Sequence, residues 1–453
     1  MKKSLLSAFA LLSVAAMAQS WDPQATNWPQ SYGVDEMSIV DANTVWTFAY
    51  DGTGTPNSYP KLISKTTNGG ATWEAKTISG PPSNALVSDI AAVDANTAYI
   101  VTAPFSGSGA ANGIWKTVDG GTSWTKQTSF GSTSASFANQ IYFWDANNGW
   151  ACGDPVGGKF EMYKTSNGGT TWTAVAGAPA PEGGQGGEFS YVGVKDVAGD
   201  NVWIGTDLGR ILRSTDRGTT WTGYITPCLD FGGVTTSGSQ GSFAFKDGNN
   251  GLLLTADGVS AGGFVTAGLY KTTDGGENWE MLEPTGEWYY GDIAYVPGTA
   301  NTYVTTGIAP TVAEPLLGSS YSTDGGVTWT SIDSGEQRGK VKFLNGTTGW
   351  CGQFSDGEGG SIGILKFNGD LSMAVSDVAV KSNLQIYPNP AADVVKISAK
   401  KEVLSGTIMD MSGKKVQTFK GSEANVSSLA KGTYILQVVY KNGGVENTKL
   451  IKK

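Results

Sequence analysis

Short runs of alternating apolar and polar residues, broken by polar turns, recur along most of the chain. Residues 37–40 lead into a turn at 41–44, residues 89–93 into a turn at 94–97, and residues 140–144 into a turn at 145–148. A second apolar run follows each turn, which is the pattern of a β-hairpin. Four more units of this kind centre on turns at 199–200, 247–248, 297–298 and 345–346. The pattern therefore predicts seven hairpins.

An eight-residue motif follows six of these hairpins. It begins with Ser or Thr, carries Asp or Asn third and Gly fifth, ends in Trp, and occupies residues 66–73, 117–124, 165–172, 214–221, 272–279 and 322–329. The six Trp residues are 51, 48, 49, 58 and 50 residues apart. A fixed period of 20–50 residues is typical of propellers and solenoids.

The chemistry of the motif is that of a tight turn. Asp and Asn accept hydrogen bonds from backbone amides a few residues on, and Gly adopts positive φ without steric cost. We therefore predict a structural role for the third residue of every motif, namely Asn68, Asp119, Asn167, Asp216, Asp274 and Asp324.

Seven hairpins and six motifs do not match in number, and the mismatch suggests how a ring closes. The seventh hairpin is followed by a third strand at 362–367, but no motif follows that strand. Residues 21–26 resemble the strand that follows a motif, such as 73–77. We expect residues 21–26 to supply the outer strand of the last blade, because closure leaves only short, protected sheet edges. The predicted fold is all-β, with a seven-bladed β-propeller over residues 19–367.

The motif resembles the Asp-box (BNR) repeat of sialidase-like β-propellers. Residues 149–153, 202–205 and 209–211 are similar to Asp-box propellers of the photosystem II assembly-factor type, and the resemblance spans roughly residues 30–367. It implies a seven-bladed scaffold whose Asp boxes lie on the face away from the ligand site. It implies no photosynthetic role.

The two ends of the chain differ from this repeat. Residues 1–18 have two lysines, an apolar core and an Ala-x-Ala site, which predicts a secretory signal peptide. Residues 368–383 are small and polar and are predicted to be a linker. Residues 384–453 hold 11 Lys and five acidic residues, net +6, whereas residues 19–383 hold 18 basic and 35 acidic residues, net −17. Such a change in charge separates two units.

The basic C-terminal unit carries a signature of its own at 386–393, 411–416, 429–438 and 448–453. It resembles the type A C-terminal sorting domain of the type IX secretion system of Bacteroidota. The resemblance implies that the secretion machinery handles residues 384–453, and that the protein passes through the periplasm to the outer cell surface or the medium. Alternating runs between Gly turns predict about seven short strands in an immunoglobulin-like sandwich. An ordinary adhesive sandwich module is the alternative.

The amino-acid composition excludes several kinds of catalytic and metal-binding site. The chain has 64 Gly, 15 Trp, no His and three Cys. The absence of His excludes Ser-His and Cys-His catalysis and the usual zinc sites. We predict buried, unpaired cysteines, no cofactor and no metal site. The acidic body disfavours nucleic acid, and beyond the signal no apolar run is long enough for a transmembrane helix.

Candidate site residues lie on the loops that face away from the Asp boxes. The longest of these loops carry Glu182, Glu188, Asp230 and Phe231, and later loops carry Glu287, Trp288, Tyr289, Tyr290 and Arg338. Aromatic faces stack on sugars, and paired carboxylates flank a glycosidic bond in hydrolases. The candidate ligand-binding residues are therefore Phe231, Trp288, Tyr289, Tyr290 and Arg338. The candidate catalytic acids are Glu188, Asp230 and Glu287. The structural alternative is solvated loop acids, with Trp288 and Tyr290 packed between blades.

Three functions remain open from the sequence. The first is a secreted, non-enzymatic propeller that binds a glycan or a surface protein. The second is a secreted glycoside hydrolase that uses two of the three acids. The third is a surface-assembly protein with no small ligand. Sialidase chemistry is disfavoured because that family uses three arginines, while only Arg210 and Arg338 are placed to reach the ligand face. Two-propeller xyloglucanases share Asp boxes, but they need a second propeller that this sequence lacks.

Overall fold

The structure is a computed structural model with side chains. It describes residues 19–52, 58–105, 112–128, 130, 136–184, 187–233, 237–259, 265–307, 317–355, 362–372, 384–399, 401–410, 414–441 and 445–453. The predicted signal peptide and most of the predicted linker lie outside the described residues. The chain divides into two compact units, residues 1–376 and 377–453.

The first unit contains seven four-stranded antiparallel sheets within its described residues, and this confirms the predicted all-β propeller. Each sheet is a blade, and in six of the seven the strands follow chain order from the innermost to the outermost. Blade 1 comprises β2 (Gly33–Ile39), β3 (Val45–Tyr50), β4 (Leu62–Thr66) and β5 (Glu74–Thr77). Blade 2 comprises β6 (Ala85–Ala92), β7 (Ala98–Pro104), β8 (Gly113–Thr117) and β9 (Thr125–Thr128). Blade 3 comprises β10 (Ala138–Phe143), β11 (Gly149–Val156), β12 (Lys159–Thr165) and β13 (Thr173–Ala174).

Blades 4 to 6 continue the repeat. Blade 4 comprises β14 (Ser190–Ala198), β15 (Asn201–Thr206), β16 (Arg210–Ser214) and β17 (Thr222–Ile225). Blade 5 comprises β18 (Ser239–Phe245), β19 (Gly251–Asp257), β20 (Thr266–Thr272) and β21 (Glu280–Met281). Blade 6 comprises β22 (Asp292–Tyr295), β23 (Tyr303–Gly307), β24 (Gly318–Ser322) and β25 (Thr330–Ser334).

Blade 7 is built from both ends of the propeller. Its three inner strands are β26 (Val341–Asn345), β27 (Thr348–Gly352) and β28 (Gly363–Asn368), and its outer strand is β1 (Ser20–Ala25). β1 pairs with β28 in antiparallel register, with Trp21 opposite Phe367. The predicted closure of the ring by residues 21–26 is confirmed.

The six Asp boxes share one hydrogen-bond pattern. In each box the Asp or Asn Oδ1 accepts a hydrogen bond from the hydroxyl two residues earlier, at 2.8–3.0 Å, and from the N–H four residues later, at 2.8–3.0 Å. In the last box Gly325 and Gly326 have φ of 79° and 91°, and Gly325 N–H donates to Asn301 O in the first hairpin turn of the same blade at 3.0 Å. The boxes and these turns therefore share one face of the propeller.

The core of the propeller lies between neighbouring blades. Trp46, Phe48 and Ile63 of blade 1 pack with Ile100 and Trp115 of blade 2 in one buried cluster. A similar cluster joins blades 6 and 7 and contains Trp21. Each blade thus buries its faces against two neighbours. Cys152, Cys228 and Cys351 are buried and unpaired, as expected.

The second unit has seven strands in two sheets among its described residues. One sheet has the order β29 (Gln385–Tyr387), β30 (Val394–Ser398), β33 (Glu423–Asn425); the other has the order β32 (Lys415–Lys420), β31 (Val403–Met409), β34 (Gly432–Tyr440), β35 (Val445–Lys452). Val395 of the first sheet and Ile408, Leu436 and Leu450 of the second share one buried cluster. Two sheets facing a common core match the predicted sandwich.

The propeller extends slightly further than the sequence suggested. β28 includes Asn368, and Leu371 is buried, with its N–H donating to Gly346 O at 2.8 Å. The first residues of the predicted linker, 368–372, are therefore part of the propeller body, because an apolar residue among them packs into the last blade.

Candidate functional site

A cavity of about 590 Å³ runs along the axis of the propeller and is open to solvent. Its wall is formed mainly by the innermost strands β2, β6, β10, β14, β18, β22 and β26. Charged side chains on this wall include Asp35, Lys195, Asp196, Asp292, Lys340 and Lys342. A cavity that combines apolar walls with a few convergent polar groups is the usual form of a ligand site.

Hydrogen bonds link consecutive blades all around this cavity, at their innermost strands or directly beside them. Carboxylates make three of the steps: Asp89 accepts from Ile141 N–H, Asp196 from Phe245 N–H and Asp292 from Val341 N–H. Ser38, Gln140, Gln240 and Lys342 make the other four. Several charged residues of the channel therefore hold the ring together, since their oxygens satisfy buried backbone donors.

Asp35 and Glu36 lie side by side in different electrostatic settings. A register shift in β2 between Val34 and Glu36 marks a bulge at Asp35. Burial, reinforced by the neighbouring Glu36 carboxylate, raises the pKa of Asp35 to about 7. Burial alone would also raise the pKa of Glu36, but Lys342, whose Nζ lies 2.6 Å from Glu36 Oε1, and Lys340 lower it to about 2.

Lys340 connects several of these acids. Its Nζ lies 3.9 Å from Glu36 Oε2 and 3.9 Å from Asp292 Oδ2. Burial opposes its charge, but the carboxylates of Asp292, Glu36 and Asp35 raise the pKa of Lys340. The ammonium group therefore remains charged at neutral pH and provides hydrogen-bond donors beside the Asp35 carboxyl group.

Two aromatic rings border the same part of the cavity. The Tyr50 and Phe354 rings are half-buried, line the cavity and lie 5.3 Å apart, tilted by 56°. Both rings rest on backbone, because a Cβ at Gly33 would lie 2.3 Å from Tyr50 Cε1 and a Cβ at Gly52 2.1 Å from Phe354 Cζ. Burial and the charge of Asp35 raise the pKa of Tyr50 to about 12. Aromatic surface, a carboxyl group and an ammonium group therefore meet on one wall.

The first group of sequence-predicted residues surrounds blade 4. Glu188 is buried, and its Oε2 accepts hydrogen bonds from Arg210 Nη1 and Glu182 N–H, both at 2.8 Å. Asp230 is buried and accepts from Ser237 Oγ at 3.0 Å and Gly232 N–H at 3.2 Å. Phe231 is buried in the channel wall. The two carboxylates thus fix loop conformation.

The second group lies in the two segments that lead into blades 6 and 7. Glu287 is exposed, and Trp288 is half-buried against a core cluster that contains Tyr290. Tyr289 is fully buried and donates from its hydroxyl to Asp333 O at 3.2 Å. Arg338 is buried, with its Nη2 2.6 Å from Asp333 Oδ2. The expectation of exposed aromatic rings is corrected for Tyr289 and Tyr290, since both pack into the core. For Trp288 and Tyr290 this is the packing that the structural alternative predicted.

Sequence reasoning missed the channel residues. One signal for the channel was available in the sequence. Most of the predicted innermost strands carry a charged residue at a position where the other strands of the blade carry apolar residues. Tyr50 and Phe354 gave no signal because they are some 300 residues apart in the chain. Among the described residues, no group of three or more Cys, Asp and Glu side chains is arranged to hold a metal ion.

Comparisons with known proteins agree with this architecture. The family model of the secretion system C-terminal sorting domain matches residues 385–453. The xyloglucanase Xgh74A of Acetivibrio thermocellus is 27% identical over 353 residues, covering 70% of this chain and 35% of the relative. A xyloglucanase of a Paenibacillus species is 28% identical over 338 residues, covering 69% of this chain and 27% of the relative. The chain thus spans about a third or less of the length of these curated relatives.

The structure of YCF48 from Cyanidioschyzon merolae is similar in fold. It matches with a TM-score of 0.51 and 17% identity, covering 78% of this chain and 99% of that chain. At this identity the likeness concerns the propeller fold alone.

The C-terminal match determines where the protein acts. A secretion system sorting domain at residues 385–453 indicates export by the type IX system to the cell surface or the extracellular space. In the described part of the chain, no helix is long and apolar enough to cross a membrane. The chain is a propeller of the Asp-box type joined to a C-terminal sorting domain of the type IX secretion system.

Proposed function

We propose that this secreted propeller binds a polysaccharide at its central channel and leaves it uncleaved. The observation that carries the proposal is the channel wall on which the Tyr50 and Phe354 rings, 5.3 Å apart, adjoin Asp35 and Lys340. The rings offer faces for sugar C–H surfaces, while the carboxyl and ammonium groups offer hydrogen bonds to hydroxyls. The similarity to two xyloglucanases supports a glucan as the ligand.

Binding is favoured over catalysis by the state of two of the three carboxylates nominated from the sequence. Glu188 is engaged by Arg210 and by a backbone amide, and Asp230 by Ser237 and a second backbone amide. A glycosidase needs one carboxyl group free to protonate the leaving oxygen and another to act as base or nucleophile. Two acids that are committed to loop structure serve this purpose poorly.

The experiment measures binding and hydrolysis on the same protein. Xyloglucan oligosaccharides and cellohexaose are titrated by calorimetry, and the mixtures are analysed for shorter products. We expect binding without shorter products, and a loss of affinity of about tenfold or more in Tyr50→Ala and Phe354→Ala, since a lost ring stack costs on the order of 1–2 kcal/mol. Tyr59→Ala is the matched control, because Tyr59 pairs with Phe105 at 4.7 Å and does not line the cavity.

One observation favours a second candidate, a glycoside hydrolase centred on the channel. A carboxyl group with a pKa of about 7, as at Asp35, is suited to act as a general acid, and the neighbouring Glu36, with a pKa of about 2, is ionised. Separation of the two pKa values in this way is common to acid–base pairs. Release of shorter oligosaccharides by the wild type that disappears in Asp35→Asn would establish the hydrolase and refute our proposal of binding without cleavage.

A further inference from the structure

Exposed apolar side chains of the propeller are concentrated on blade 4. Eight large hydrophobic side chains are exposed among the described residues of the propeller, and half of them belong to blade 4 and its loops. These four form what we call the blade-4 patch: Phe189, Leu208, Ile225 and Leu229, exposed by 40%, 45%, 80% and 67%. Contiguous exposed apolar surface marks interaction sites on soluble proteins.

Hydrogen bonds bring the loops of the patch together. Phe189 N–H donates to Asp207 Oδ1 at 2.8 Å, and Asp207 N–H donates to Phe189 O at 3.2 Å. Leu208 follows Asp207 directly in the chain. Thr226 N–H donates to Gly209 O at 3.0 Å, and a Cβ at Gly209 would lie 3.1 Å from Leu229 O. Three loops therefore converge here, and their backbones bring Phe189, Leu208 and Leu229 to one end of blade 4.

The patch is held on a rigid base. Glu188, next to Phe189, is buried and bound to Arg210, and Arg210 pairs in register with Ile225 across β16 and β17. The Phe189 ring lies 5.2 Å from the Tyr191 ring, edge to face. A pre-ordered surface of this kind binds without the entropic cost of arranging its own side chains.

The charge around the patch is acidic. The three loops at 175–189, 207–209 and 226–238 contain four acidic residues and no basic residue, namely Glu182, Glu188, Asp207 and Asp230. Two described cations contact these loops: Arg210 is already paired with Glu188 at 2.8 Å and with Glu182 at 3.3 Å, and Lys159 Nζ donates to Ala176 O at 2.9 Å at the start of the first loop. Burial raises the pKa of Asp207, and the charges of Glu188 and Asp230 raise it further. A partner must therefore bring positive charge together with apolar surface.

We infer that the blade-4 patch docks a basic, apolar segment of another exported or surface protein. Apolar side chains of the segment cover Phe189, Leu208 and Leu229, and its Lys or Arg side chains face Asp207 and Glu182. This surface lies outside the residues that line the channel, so the partner and the polysaccharide of the proposed function bind at separate places.

The test uses the full-length protein and defined peptide probes. A labelled nonapeptide of alternating Lys and Leu is titrated by fluorescence anisotropy against the wild type, with Lys-Ser and Glu-Leu peptides of the same length for comparison. We expect the Lys-Leu peptide alone to bind, and the double variant Phe189→Ser, Leu229→Ser to weaken its binding at least tenfold. Val118→Ser and Met281→Ser are matched controls, since these side chains are exposed by 66% and 56% elsewhere on the propeller.

Two further measurements test the charge beside the patch and the oligomeric state of the protein. Asp207→Asn is expected to weaken Lys-Leu binding about threefold, and the difference should shrink with added salt because exposed charges are screened. Equal binding of the Lys-Ser peptide, or undiminished binding by the double variant with an unchanged melting curve, would overturn the inference. So would a dimer that the double variant converts to monomer, because the occupant would then be a second copy. Loss of xyloglucan binding in Tyr50→Ala with peptide binding retained keeps the two proposals distinct.

Discussion

The recurring Asp or Asn makes the same hydrogen bonds to its own turn in all six Asp boxes. Asp324 accepts four hydrogen bonds, from the hydroxyls of Ser322 and Thr328 and from the amides of Val327 and Thr328. Asn68 accepts from Thr66 and from Thr72 N–H through one amide oxygen, and its NH₂ group donates to the Thr72 hydroxyl. Asparagine therefore reproduces the carboxylate pattern almost completely.

The first prediction concerns this equivalence. Asp324→Ala removes all four hydrogen bonds from one turn, and we expect it to lower the free energy of unfolding by about 1–3 kcal/mol. Asp324→Asn is expected to cost less than about 1 kcal/mol, because Asn68 and Asn167 already occupy the same position in their own boxes. Urea unfolding curves of both variants give the comparison. Equal costs for the two variants would contradict it.

Asp35 supports a prediction about pH. Its pKa is raised to about 7 in the folded protein, so between pH 4 and 7 the folded state holds a proton that the unfolded state releases. The contribution to stability is complete below about pH 4 and is lost as pH rises through 7. An asparagine at position 35 does not titrate. The free energy of unfolding of Asp35→Asn, relative to that of the wild type, should therefore rise by about 1–3 kcal/mol from pH 5 to pH 8, at ~1.4 kcal/mol per pKa unit.

Thermal unfolding at several pH values measures this effect. Asp22→Asn is the control, because Asp22 is exposed on β1. A difference between Asp35→Asn and wild type that stays constant from pH 5 to 8 would show that the Asp35 carboxyl group does not titrate in this window.

At the scale of elements, β1 holds the ring closed. Trp21 is buried by all but 8%, donates from Nε1 to Ser319 Oγ at 2.8 Å and packs against Phe343 and Phe367. Pro23 is tolerated in β1 because this is the outermost strand of its blade and one of its edges pairs with no other strand of the blade. The strand thus anchors the first residues of the propeller to its last blade.

Trp21→Ala tests this anchor. We expect a loss of about 3–5 kcal/mol, the usual cost of removing a buried tryptophan ring, and faster proteolysis near residue 20. Trp21→Phe keeps most of the packing and loses the hydrogen bond to Ser319, so its cost should be less than half as large. The two variants are compared by urea unfolding and limited proteolysis. An Ala variant as stable as the wild type would mean that β1 does not close the ring.

The blades could be predicted from the sequence because their signals are local. Each hairpin and its Asp box lie within one repeat of about 50 residues. The absence of a seventh box, together with the resemblance of residues 21–26 to the strand that follows a box, assigned those residues to the last blade. The channel could not be predicted in the same way. Asp35 and Lys340, or Tyr50 and Phe354, meet only when blades 1 and 7 become neighbours. The burial of Tyr289 could not be predicted either, because its ring lies against the backbone of a residue distant in the chain, Gly318, where a Cβ would lie 2.5 Å from the Tyr289 hydroxyl oxygen.

At the scale of the whole molecule, the chain combines an export signal with a rigid ring. The sorting domain takes the protein to the cell surface or beyond, and residues 19–383 carry a net charge of −17. Such a charge disfavours anionic ligands through repulsion, whereas a neutral glucan meets no such barrier. The polysaccharide proposed for the channel and the basic segment proposed for the blade-4 patch are both compatible with this field.

The central claim is that a polysaccharide binds intact at the channel wall of blades 1 and 7. The most direct measurement is a crystal structure of the protein with a xyloglucan oligosaccharide, collected alongside product analysis of the same solution. We predict an uncleaved oligosaccharide with a sugar ring against Tyr50 or Phe354 and a hydroxyl within hydrogen-bond distance of Asp35 or Lys340. An oligosaccharide bound at the loop of Glu287 and Trp288 instead, or one recovered as shorter products, would contradict the claim.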